Sequence, residues 1–165
     1  MEKAVFNQAL IWSLKKLFKK DALLVNQAYN VNERSVSHKL AVYIDQYLFD
    51  NNLSFDVDIE YNRMTVPYDE NGIDIGIAVA KSIRYDDHEQ LDRFVYPDII
   101  IHRRNENVNI GIIEIKMAWK NSLKQLDYQK VNKYLEQLDY QHGVFIEINN
   151  TFESTIIEYG HFDIN

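Results

Sequence analysis

Apolar residues recur at helical spacing from the start of the chain. Phe6, Leu10, Leu14, Leu17 and Phe18 fall on roughly one stripe, which predicts a first helix over residues 2–20. Lys15, Lys16, Lys19 and Lys20 gather near its end, where the helix dipole favours cations. A second helix is expected to open at Asn32, a residue type that caps helix N-termini, and to run through "ERSVSHKLAVYIDQYLF". Val36, Leu40, Tyr43, Ile44, Tyr47 and Leu48 share one of its faces, and Glu33 lands near the middle of that same face. His38 falls on the other side and reads as a surface histidine.

The period then shortens to two. "LSFDVDIEYNR" alternates Phe55, Val57, Ile59 and Tyr61 with Asp56, Asp58, Glu60 and Asn62, the mark of a half-exposed strand whose acids face solvent. "NGIDIGIAVA" reads as a turn leading into a short strand, and "KSIRYDDHEQLDRF" is too polar to anchor a core, so a loop or hairpin excursion is expected over 67–94. Two apolar runs, "RFVYPDIIIHR" and "NIGIIEIKMAW", flank the turn-rich "RNENV". Ser122 with Gln125 resembles a capping box opening a helix over "LKQLDYQKVNKYLEQLDY". Its apolar stripe is Leu123, Leu126, Val131, Tyr134, Leu135 and Leu138, with Asp127 and Lys130 inside the stripe rather than opposite it. "HGVFIEI" is a further strand and "FESTIIEY" a last one. Strands separated by a helix predict a mixed sheet with helices packed on it, an α/β or α+β domain.

A hairpin symmetric about Glu106 pairs residues whose numbers sum to 212, which sets Asp98 opposite Glu114. Side chains two apart on a strand share a face, so Glu114 and Lys116 project together while Ile113, Ile115 and Met117 project the other way. Like charges directly opposed across a sheet destabilise it, so something positive belongs between the two carboxylates, and Lys116 can supply part of it. Carboxylates, a backbone carbonyl and water are hard donors that suit Mg²⁺. Such an ion could bridge a phosphodiester and activate water for in-line attack, and Lys116 could then orient or deprotonate that water or stabilise the developing charge.

Composition narrows the classes. A chain of 165 residues, 46% hydrophobic, suffices for one continuous core and one domain over 1–165. The absence of cysteine excludes disulfides, thiolate metal sites and a cysteine nucleophile, and fits a cytoplasmic location. The N-terminal segment lacks the pattern of a signal peptide, and no stretch approaches the roughly 20 apolar residues of a membrane span. A net charge of −7 argues against general coating of nucleic acid by a basic surface.

Pro97-Asp98, then Glu114-Ile115-Lys116 on the next strand, with Glu33 on a preceding helix and another helix following, resembles the PD-(D/E)XK nuclease superfamily. The resemblance covers about residues 30–147. It leaves 1–28 as an N-terminal helical extension and 67–94 as the excursion. It implies a restriction-endonuclease-like mixed sheet flanked by helices. It further implies metal binding by Asp98, Glu114, the carbonyl of Ile115 and Glu33, with Lys116 as catalytic lysine and Lys130, together with Tyr134, as the added residue from the following helix. The implied activity is Mg²⁺- or Mn²⁺-dependent hydrolysis of phosphodiester bonds, in DNA because the family mostly cuts DNA. Arg63, Arg103, Arg104, Lys120 and Lys124 are candidate phosphate contacts around such a site. No base-reading module is visible, so specificity would come from a homodimer or a partner subunit. The alternative is a non-catalytic nucleic-acid- or protein-binding regulatory domain that keeps the nuclease fold.

Overall fold

The computed structural model describes residues 1–61, 63–68, 74–80, 82–83, 93–94, 96–104, 106, 108–120 and 124–162. Helix α1 (Lys3–Lys20) buries Phe6, Leu10, Leu14 and Leu17 and ends on Lys19 and Lys20. A 3₁₀ turn over Gln27–Tyr29 leads to α2 (Glu33–Asp50). The cap expected at Asn32 is made, its side-chain oxygen accepting the Arg34 N–H at 2.8 Å. His38 is exposed, as expected. Among the described residues no helix is long and apolar enough to cross a membrane.

The strands are β1 (Asp56–Ile59), β2 (Arg63–Tyr68), β3 (Asp74–Ala80), β4 (Ser82–Ile83), β5 (Arg93–Phe94), β6 (Ile99–Arg103), β7 (Val108–Met117), β8 (His142–Ile148) and β9 (Ile156–Tyr159), with α3 (Lys124–Gln137) between β7 and β8. Five of them form one sheet in the order β1-β6-β7-β8-β9. The β7–β8 pair is parallel and the other three pairs are antiparallel. The chain is thus an α+β domain built on a mixed sheet. Separate two-stranded ribbons, β2–β3 and β4–β5, make up the excursion, which begins at Arg63, earlier than expected.

Helices cover both faces of the sheet, and that explains the unbroken isoleucine runs of β6 and β7: central strands buried on both sides have no solvated face to alternate with. On one side α1 and α2 pack over Ile99, Ile101, Ile113, Ile115, Met117, Val144, Ile146 and Ile148. On the other, Val131 and Tyr134 of α3 pack with Ile100, Ile112, Tyr140 and Ile83. Ile83 is fully buried, so the segment read as too polar to anchor a core does contribute one residue to it.

Other expectations need correction. The acids of β1 do not simply face solvent: the Asp58 side chain is 17% exposed, held 2.8 Å from His102 Nε2 and paired with Arg104. Those two partners, outweighing burial, hold its carboxyl below the usual range. Helix α3 stops three residues short of the expected end, and Leu126 on its stripe is 54% exposed while Asp127 is buried. The β6–β7 hairpin follows the expected register only from Ile99↔Ile113 to Ile101↔Gly111. Beyond that a shift at Ile101/His102 sets His102 against Asn109. Ser122, Leu123, Asn105 and Asn107, which carry the expected capping box, the start of the apolar stripe and the turn centre, lie outside the described residues.

Candidate active site

The site grows from a mismatch in strand length. β7 runs on to Met117, but β6 begins only at Ile99, whose partner is Ile113, so the last residues of β7 have no strand beside them on that side. Backbone N–H groups left there need acceptors. Asp98 provides one, its Oδ2 accepting the Ile115 N–H at 2.7 Å. Glu33, from the first turn of α2, provides the next, its Oε1 accepting the Met117 N–H at 3.1 Å. The observed ladder ends at Ile99↔Ile113, so the expected opposition of Asp98 and Glu114 lies one step beyond the last ladder pair.

Because Ile113, Ile115 and Met117 belong to the core under α1 and α2, Glu114 and Lys116 project to the face covered by α3. There they meet Asp127 and Lys130. Lys130 Nζ lies 3.3 Å from Glu114 Oε2 and 3.4 Å from Asp127 Oδ1, and Lys116 Nζ lies 2.9 Å from Asp127 Oδ2. The Glu114 side chain is only 3% exposed, and its Oε1 is buried with no hydrogen-bond partner.

Burial dominates the electrostatics. It lifts the Asp98 carboxyl to about 6, against the opposing pull of the Ile115 N–H and Lys130 and with help from the charges of Glu33 and Asp127. Glu114 is pushed well above the ordinary carboxylate range, first by burial and then by Asp98; Lys130 only partly offsets this. Burial alone would push Lys130 down, but the carboxylates of Glu114, Asp127 and Asp98 hold it above its usual value.

The structure thus brings Glu33, Asp98, Glu114, Lys116 and Lys130 to one end of the sheet. It does not put Lys116 between Asp98 and Glu114, because Asp127 draws its ammonium toward α3. Tyr134 is fully buried in the second core, edge-on to Tyr140. Arg103 and Arg104 sit at the far end of β6 from Asp98, where they pair with Glu106 and with Asp56 and Asp58. Lys124 pairs with Glu147. The Arg63 side chain lies outside the described part of the chain. The resemblance gives Asp127 no role, although its position inside an apolar stripe marks it as a carboxylate in need of a buried partner.

Among the described residues no three His, Asp or Glu side chains converge, as they stand, tightly enough to hold a metal ion. The donors nevertheless suit a hard divalent cation: they are all oxygen, and one of them, Glu114 Oε1, is desolvated and unpaired. The Ile115 carbonyl shares the strand edge on which its N–H meets Asp98. No protein-family model matches the chain, and comparisons with curated proteins and with solved structures likewise find no match.

Proposed function

We propose that the chain is a metal-dependent nuclease with a restriction-endonuclease-like core, hydrolysing phosphodiester bonds, with DNA as the substrate and Mg²⁺ or Mn²⁺ as cofactor. One observation carries the reading: two carboxylates at the same end of the sheet, Asp98 and Glu114, are both desolvated, the charge of the first helps to raise the carboxyl of the second, and one Glu114 oxygen has no hydrogen-bond partner. Such a pair is unfavourable unless a cation is part of the design. The order of α2, β1, β6, β7, α3 and β8, with β7 and β8 parallel, supports the same fold assignment.

In this reading Asp98, Glu114 and the Ile115 carbonyl would hold the ion, with Glu33 beside them. A bound divalent ion supplies Lewis-acid activation of water and neutralises phosphate charge. The remaining chemistry belongs to the chain. Lys116 is 15% exposed and would orient the attacking water or stabilise the charge growing on the phosphate, with Asp127 setting where its ammonium stands. Glu33 and Asp98, by capping β7, fix the backbone that carries Glu114 and Lys116.

The net charge of −7 and the pairing of both site lysines with acids favour a second reading, a non-catalytic nucleic-acid- or protein-binding domain on the same fold. Incubation with plasmid and with single- and double-stranded oligonucleotides, with and without Mn²⁺, separates the two. Cutting that requires Mn²⁺ and disappears in Asp98→Ala and Lys116→Ala supports the nuclease. No cutting, with no heat of Mn²⁺ binding, supports the binder. Mn²⁺ binding without cutting points to a subunit that needs a partner for its substrate.

A further inference from the structure

Lys130 is the one cation in contact with Glu114 among the described ion pairs, and it bridges Glu114 Oε2 at 3.3 Å to Asp127 Oδ1 at 3.4 Å. Its side chain is 32% exposed, far more than Glu114 at 3%. It therefore stands at the solvent side of the carboxylate, where a cation entering from water would arrive. Among the described ion pairs, the carboxylate cluster of Glu33, Asp98, Glu114 and Asp127 meets two ammonium groups, Lys116 and Lys130, through Glu114 and Asp127, while Asp98 and Glu33 accept from backbone N–H groups. With all six ionised, two negative charges are left over, the charge of one divalent cation.

We infer that Lys130 is a tethered counter-ion that neutralises Glu114 in the metal-free protein and must be handed over to Asp127 before a divalent cation can bind there. The inference rests on the nuclease reading for the location of the ion and adds a role for Lys130 that a catalytic or phosphate-contacting lysine would not have. Asp127 suits the transfer because it sits three residues away on the same helix and already shares the ammonium, so the side chain need only swing, with no movement of α3. A cation attached to the site competes at high effective concentration. Monovalent ions, with no more charge than the ammonium they would displace, gain little by entering. A divalent ion interacts with Asp98 and Glu114 together and gains more, so the lysine acts as a filter on ion charge at the cost of weaker binding.

The test is calorimetric titration of the full chain with Mn²⁺, read as affinity and not as cleavage. Lys130→Met and Lys130→Gln are expected to bind Mn²⁺ about tenfold or more tightly than wild type, and Asp98→Asn to abolish binding in every background. Lys130→Gln keeps a donor to Glu114 and guards against loss of folding in the methionine variant; variants that fold only when Mn²⁺ is added also support the exchange. Equal or weaker binding by folded Lys130 variants, alongside wild-type binding that depends on Asp98, overturns the counter-ion role while leaving the metal site standing. Binding that is absent throughout, or indifferent to Asp98, overturns both. Failure of both variants to fold even with Mn²⁺ makes Lys130 a structural ion-pair partner and also overturns the proposal.

Discussion

Asp98 Oδ2 accepts a 2.7 Å hydrogen bond from the Ile115 N–H, so a side chain completes the β7 ladder where strand β6 has not yet begun. This gives Asp98 two duties. As a hydrogen-bond acceptor it satisfies a strand that would otherwise carry a bare N–H. As a buried anion it is costly in the absence of a cation, and the cost is visible in a carboxyl raised to about 6.

The two duties come apart in Asp98→Asn. The amide oxygen keeps the bond to Ile115 while the buried charge disappears, so metal-free protein at pH 7.5 is expected to gain about 1–3 kcal/mol in a urea melt with chelator. If the proposed metal site holds, the same variant is expected to lose Mn²⁺ binding and any Mn²⁺-dependent cutting. A loss of stability would mean that attraction to Lys130 outweighs the burial of the anion.

The sign of the pH dependence follows from the direction of the shift. Folded Asp98 keeps its proton up to about pH 6, whereas an unfolded aspartate releases it near its ordinary value of about 4. The folded state therefore binds more protons between those values, and its stability falls as pH rises through that window, by on the order of 3 kcal/mol, and then levels off. Asp58 acts in the opposite sense, its lowered carboxyl contributing stability above its unfolded value that is lost as pH falls. The informative measurement is the difference between wild type and Asp98→Asn from pH 4 to 7. A constant difference contradicts the assignment to Asp98.

Gly111 leaves room for the Phe6 ring of α1 against the sheet. A Cβ added there would lie 2.3 Å from Phe6 Cε2, and Phe6 is itself buried. Gly111→Ala should destabilise the protein by about 1–3 kcal/mol. Adding Phe6→Leu should recover part of that loss, a coupling that a double-mutant cycle reads directly. Additive losses would show that the ring moves aside freely.

Asn132 ties the end of the described chain to α3. Its Nδ2 donates to the Phe162 carbonyl at 2.8 Å and its Oδ1 accepts the Phe162 N–H at 2.8 Å, while the Phe162 ring stacks 4.6 Å from Tyr128. Asn132→Ala should cost about 1–3 kcal/mol and speed amide exchange at Phe162 well before the sheet opens. Unchanged exchange at Phe162 would show that the ring stack alone holds the segment.

Much of this arrangement was legible because it is set by local periodicity. The cap at Asn32, the face shared by Val36, Leu40 and Ile44, and the register from Ile99↔Ile113 to Ile101↔Gly111 all depend on residues within one element or one hairpin. The partner of Lys116 was not legible, since it depends on how α3 crosses the sheet, and no repeat within α3 encodes that crossing. The same cause exchanged Leu126 and Asp127. Local spacing puts both on the stripe, but the helix is turned so that Asp127 meets Lys116 of the sheet and Lys130 of its own helix while Leu126 faces water. The shift at Ile101/His102 was hidden for a different reason: an extra residue in one strand leaves the alternation on each side of it intact.

The excursion hangs from a narrow root. Ile59 and Ile99 are direct ladder partners, and the Glu60 N–H donates to the Pro97 carbonyl at 3.0 Å, so the chain departs and comes back side by side, next to Asp98. Doubling the length of a segment closed in this way adds only about 0.6 kcal/mol of closure entropy. The segment between those two points can therefore change length at little entropic cost, while Ile83, buried with Val131 and Tyr134, sets the limit on how much of it can be exchanged.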